Sequence, residues 1–205
     1  MADADSDEAH PEWNPALERV LKKEGEQAQV YSSLHSHAAS WASKRNDWIQ
    51  IPSILIATVT GFFSATSDMV PPVAIGALSI LVGALSTINS YYRFSQRAEG
   101  HRITSLWYSK TYKNIETQLS LPYEQRQSAD SLLKELREGM SRVGETAPPL
   151  PEASVAAFKA RFPNPSVSVP LVANGLDAIQ IYRAEKSAVT PTPTPKSPVK
   201  VTVMV

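Results

Sequence analysis

Four residues carry side chains able to ligate a metal or relay a proton at one place: His35, His37, Glu99 and His101. A zinc site needs three or four converging ligands. Spacing decides against that here. Residues two apart on a helix point in divergent directions, so His35 and His37 cannot share a centre with both Glu99 and His101. One side chain from each pair can still meet across packed helices, and the spacing predicts a His–Glu hydrogen bond drawn from His35, Glu99 and His101. The chain lacks a Gly-rich phosphate loop, a nucleophile elbow and a paired-carboxylate motif. It has no cysteine, which removes disulfides, thiolate chemistry and Cys-based zinc sites. Twenty basic residues balance twenty acidic ones, and they are interleaved, so no nucleic-acid footprint is present. The reading is a non-enzyme with no catalytic residues, no cofactor and no bound metal.

The elements that must position these residues are helices. Residues 48–92 hold one formal charge, Asp68, which divides them into uncharged runs at 48–67 and 69–92. As helices each run is roughly 30 Å long, the thickness of a hydrocarbon core. We expect a transmembrane hairpin with a tight turn at 67–72. Residues 14–47 read as an amphipathic helix of about 50 Å. It is capped by Asn14, with Pro15 at its first position and Glu18 in its first turn. Its apolar stripe includes Leu17, Leu21, Ala28, Tyr31, His35, Ala38 and Ala42. Asn46 and Asp47 suggest a break before the first span, and Pro52 removes one backbone bond inside it. The second span runs on into 93–120, where Phe94, Ala98, His101, Ser105, Tyr108, Tyr112, Ile115 and Leu119 recur at steps of three and four. The spacing predicts an antiparallel pair with the first helix. A further amphipathic helix is expected over 123–143, completing an emergent unit at 93–146. Residues 147–189 read as a Pro-rich linker with short helices at 152–162 and 176–186. The fold class is therefore all-α membrane protein: a two-helix transmembrane hairpin extended into a long antiparallel helical pair. The extra amphipathic helix and a Pro-rich, strand-like C-terminal tail complete it. A soluble bundle would need these uncharged helices buried all round, which so small a chain can scarcely provide.

Charge sets the expected orientation. Lys44, Arg45, Arg93, Arg97 and Arg102 flank the hairpin, while the turn has only Asp68. The positive-inside rule then leaves both termini cytosolic, with Trp48, Tyr91 and Tyr92 at the cytosolic interface. The acidic start at 1–13 reads as disordered and lacks a signal-peptide pattern.

Small residues form a stripe in each span: Ser53, Ala57, Thr60, Gly61 and Ser64 in the first, and Gly76, Ser79, Gly83, Ser86 and Ser90 in the second. Such stripes let backbones approach closely in lipid. They either face each other within one hairpin or build a homo-oligomer, with a pore as the sharpest version. At the other end, 190–198 is an extended proline-rich spacer. It is followed by Val199, Val201, Val203 and Val205 in strand alternation. This tail either frays or adds to the sheet edge of a partner.

The pattern Ala28–x–x–Tyr31–x–x–Leu34–His35, then Asn46–x–Trp48–x–x–x–Pro52, Gly61 and Glu99–x–His101 resembles the two-span SLATT-like membrane proteins, over residues 13–121. Members occur in bacterial defence loci, where they are thought to form pores. Related proteins occur in large eukaryotic DNA viruses of algae and amoebae, and the tail is similar to those of the viral group. The resemblance implies a structural role in the virion. The protein would be a minor capsid or inner-membrane component, with its soluble parts facing the capsid and tethering membrane to shell. Its partners would be the lipid bilayer and capsid or other virion proteins. The bacterial reading implies an oligomeric pore instead.

Overall fold

The computed structural model describes residues 13–66, 70–176 and 178. Among them every regular element is helical: α1 (Pro15–Ala65), α2 (Pro72–Tyr92), α3 (Phe94–Ser120), α4 (Ala129–Thr146), α5 (Glu152–Arg161) and α6 (Leu171–Asn174). A single 3-10 turn, Tyr123–Gln125, joins α3 to α4. The expected hairpin apex at Asp68, the residues before Trp13 and the tail at 190–205 lie outside the described residues. So does the helix expected over 176–186, apart from Leu176 and Ala178, neither of which is helical.

α1 is one helix of 51 residues, about 77 Å long by its rise. The Asn14 side chain accepts a hydrogen bond from the Leu17 amide at 2.9 Å and so caps it. The break expected at Asn46–Asp47 does not occur, and the helix also passes through Pro52. The reason lies in the phase of its inner face. Leu21, Gly25, Ala28, His35, Ala38 and Ala42 are buried, and the same three-and-four spacing continues through Ile49, Ser53, Ile56, Thr60 and Phe63, all buried or half-buried. Both halves of α1 therefore face one seam, and a bend would lift one half off it.

The second limb does break, at a place where continuity was expected. Arg93 adopts the left-handed conformation (φ 48°, ψ 45°) and divides α2 from α3. For a residue with a Cβ this costs roughly 1–2 kcal/mol. Helical bonding resumes at once, with the Arg93 amide on the Asn89 carbonyl and the Arg97 amide on the Arg93 carbonyl. Beside the break Phe94 is buried and stacks on Tyr92 at 5.3 Å between centroids. Burying such a ring is worth about 1.5–3 kcal/mol, enough to offset the strain.

α1 packs antiparallel against α2 along one half and against α3 along the other. In the α3 half, each of Ser32 and Ser105 donates its hydroxyl to the other's carbonyl, at 3.0 and 2.9 Å. Tyr31 stacks on Tyr108 at 4.9 Å, and Ile115 closes over Gly25, where a Cβ would come within 3.1 Å of it. The far end is sealed by α4, whose Leu132 and Leu136 join Leu21 and Ile115, with Trp13, Leu17, Leu119 and Leu133 packed around them. Arg126 fastens this end. It donates to the carbonyls of Leu119 and Leu121, pairs with Glu18 at 2.6 Å, and lies over the rings of Trp13 and Tyr123. After α4 the chain turns back along α1. Pro148 lies against Gly100, and the Ser168 amide donates to Glu26 at 2.8 Å.

Candidate functional site

Polar chemistry concentrates where α1 and α3 cross near the middle of the rod. His35 and His101 are buried, at 3% and 4% exposure. Their Nδ1 atoms stand 2.9 Å apart, with the rings tilted and Tyr108 stacked beside His35. At that separation one Nδ1 carries a proton and donates it, and the other accepts, so the two rings hold opposite tautomers. Burial pushes His35 down to about 4, aided by the proximity of His101. Burial also lowers His101, aided by Arg97. The pair is neutral at pH 7.

The His–Glu contact expected from the spacing is not formed. Glu99 points to solvent and holds Arg102 through two bonds of 2.8 Å, one turn along the same helix. The two-residue offset from His101 sends it to another face of α3, so the interhelix polar contact is His–His. Glu99 lies below the usual carboxylate range because Arg102 donates to it. His37, two residues from His35, is likewise turned away and shares a 3.1 Å hydrogen bond with the Ser154 hydroxyl of α5. Ser154 is 1% exposed, so its hydroxyl is enclosed, and the bond docks α5 on α1. Among the described residues no three His, Cys, Asp or Glu side chains converge as a metal would require.

The two apolar limbs meet along a seam that only half matches the small-residue stripes. On α1, Ser53 and Thr60 are buried, while Ala57, Gly61 and Ser64 are exposed. On α2 the half-buried residues are Ala74, Ile75, Leu78, Val82, Leu85 and Asn89. The stripe of Gly76, Ser79, Gly83, Ser86 and Ser90 lies one position on, about 100° around the helix, and is exposed throughout. Nothing lies within 4 Å of where a Cβ on Gly61, Gly76 or Gly83 would sit. The two stripes therefore do not face each other within the chain. A polar bridge closes the seam near its end, where Asn89 Nδ2 donates to Gln50 Oε1 at 2.8 Å.

The limbs are otherwise bare. α2 has no buried residue, and Ile54, Leu55, Val59, Phe62, Val73, Ile80, Leu81 and Ile88 are exposed. Both limbs are long and apolar enough to cross a membrane. Exposed apolar area on this scale marks a surface made for a non-aqueous neighbour. Trp48 and Tyr91, 81% and 77% exposed, ring its boundary with the polar half. Sequence reasoning missed two groups. Arg126 lay in a turn with no periodic signal. Thr104 and Thr111 are buried on the α3 seam although polar; the Thr104 hydroxyl returns to the Gly100 carbonyl at 2.9 Å, which satisfies it inside a packed face.

No known protein family, curated protein or solved structure matches the chain. The resemblance to SLATT-like proteins accordingly rests on the residues quoted for it.

Proposed function

We propose that this is a two-span integral-membrane protein with a structural, non-enzymatic role, holding a rigid helical stalk against one face of a bilayer and presenting it to a partner. The observation that carries this reading is α1, which runs without interruption from a polar half into an apolar half whose outer surface is bare. A helix of that design couples lipid to stalk with no joint. The polar half, from Pro15 to Asp47, gives it a reach of about 50 Å. The charge flanks support a cytosolic stalk. In the setting that the family resemblance implies, the bilayer is the internal membrane of a large DNA virus. The partner is then a capsid protein, with residues 190–205 supplying the attachment. The test is membrane pelleting in alkaline carbonate followed by deletion of 190–205. The full chain should stay with the membrane, and the deletion should reduce co-purification with capsid protein at least tenfold without changing pelleting. Unchanged co-purification would refute the tether, and release by carbonate would refute the membrane span.

One observation favours a second reading, an oligomeric pore. The stripe of Gly76, Ser79, Gly83, Ser86 and Ser90 faces outward and is free to meet a second copy. Gly83→Leu should then abolish cross-linked oligomers and bilayer conductance while leaving the hairpin folded. A monomeric, non-conducting wild-type protein would remove this reading.

A further inference from the structure

Below the apolar boundary, α1 and α3 border a groove of about 750 Å³, whose lining includes Ser36, Ser40, Ser43, Lys44, Ser95, Glu99 and Arg102. We infer that this groove binds the phosphate headgroup of an anionic lipid from the adjoining leaflet, an inference that rests on the membrane reading above. Three features carry it. The first is depth. Lys44 is one helical turn from Trp48, about 6 Å along α1, and interfacial tryptophan sits at headgroup level. The second is charge. Lys44, Arg45, Arg93, Arg97 and Arg102 ring this end of the stalk, against only Asp47 and Glu99. Within the groove Arg102 is already held by Glu99, and Arg45 lies over the Trp41 ring at 4.0 Å. Among the described residues Lys44 has no carboxylate partner, which leaves its ammonium available to a phosphate oxygen. The third is the lining. Serine hydroxyls on both helices supply short donors that suit phosphate oxygens. Small side chains on both walls keep the groove open where the rest of the α1–α3 seam is filled. A charge belt alone attracts an anionic surface without choosing a place; the groove adds a seat with room for one headgroup.

The test uses the full chain in nanodiscs. Incorporation itself checks the membrane reading: a chain that stays in the aqueous fraction refutes that reading, whereas the headgroup site is judged on incorporated protein. Discs of phosphatidylcholine with a minority of phosphatidylglycerol are dissolved in mild detergent, and co-purifying lipid is weighed by native mass spectrometry. The wild type should retain phosphatidylglycerol in preference to phosphatidylcholine. Lys44→Gln should lower that retention about fivefold, the share of one cation near a charged leaflet. Ser40→Leu, which fills the groove without altering charge, should lower it similarly. Lys22→Gln, which removes the same charge near the far end of the stalk, should leave it unchanged. Equal loss from Lys44→Gln and Lys22→Gln would overturn the site in favour of bulk attraction, as would full retention by Ser40→Leu. Displacement of bound lipid by millimolar inorganic phosphate would also overturn it, assigning the groove to a soluble anion.

Discussion

Two imidazole nitrogens 2.9 Å apart share one proton, and the consequences follow from where a second would have to go. A proton added to the accepting ring places two N–H groups head to head inside a packed seam. Desolvation already disfavours the charge, and His101 and Arg97 add to it. The groups facing the pair are Tyr108, stacked beside His35, and Arg97, near His101; among the described residues no carboxylate offsets the cost. The folded value of His35, about 4, lies below the unfolded value of about 6.5. The stability it contributes is thus complete above pH 6.5 and is lost as the pH falls from there toward 4. The loss should reach about 2 kcal/mol by pH 5. Urea unfolding of the detergent-solubilised protein, followed by circular dichroism at pH 7.5 and 5, checks this. His35→Phe with His101→Leu should flatten the dependence; an unchanged slope would place its origin elsewhere. That α1 and α3 would meet through His35 and His101 was partly legible, because both fall on the apolar stripe of their helices. The partner choice was not. Glu99 is the natural partner by charge, and only the two-residue offset, resolved in three dimensions, sends it to Arg102.

At the scale of elements, the two limbs reverse what local signals suggest. Asn46, Asp47 and Pro52 are poor helix residues, yet α1 ignores them. Arg93 lies in a stretch without a breaker, yet the helix stops there. Local propensity costs are up to about 0.7 kcal/mol for a residue such as Asn46 or Asp47 and about 3 kcal/mol for Pro52, less than the burial of a continuous seam. Phase decides instead. α1 holds one three-and-four phase from Leu21 to Phe63, whereas the opposite limb changes conformation at Arg93 beside the buried Phe94. A left-handed residue with a Cβ is strained, and glycine is not. Arg93→Gly should therefore relieve about 1 kcal/mol and raise the unfolding midpoint, read by the same urea titration. A fall would mean that the Arg93 side chain stabilises the junction by more than its backbone costs. The small-residue stripes teach a related lesson. Their spacing was readable, but a stripe and its neighbour one position on share the same period. The phase that faces α1 is the one bearing Leu78, Val82 and Leu85.

For the whole molecule, the all-helical build and two apolar limbs could be read from charge spacing alone, because an uncharged run long enough to cross a bilayer has few other uses. The return path along α1 could not. It depends on single contacts, such as Ser168 on Glu26 and Ser154 on His37, which leave no period in the sequence. The unity of α1 can be tested directly. One alanine inserted after Arg45 turns the stalk by about 100° relative to the hairpin. Only one of the two seams can then keep its register. Disulfide trapping of Ser32→Cys with Ser105→Cys should be efficient in the parent and should drop severalfold in the insertion variant. Equal trapping there, together with equal trapping of a second cysteine pair across the α1–α2 seam, would show that the two halves are jointed after all.

The uninterrupted course of α1 also makes the rod a lever. If the limbs cross a bilayer as proposed, a span that tilts to fit a thinner one would carry its stalk with it, since α1 has no loop to absorb the angle. Over a stalk of about 50 Å, a tilt of about 10° sweeps the far end sideways by roughly 9 Å. On that reading, changes in membrane thickness would be converted into displacement at the end fastened by Arg126, where Trp13, α4 and the start of α1 meet.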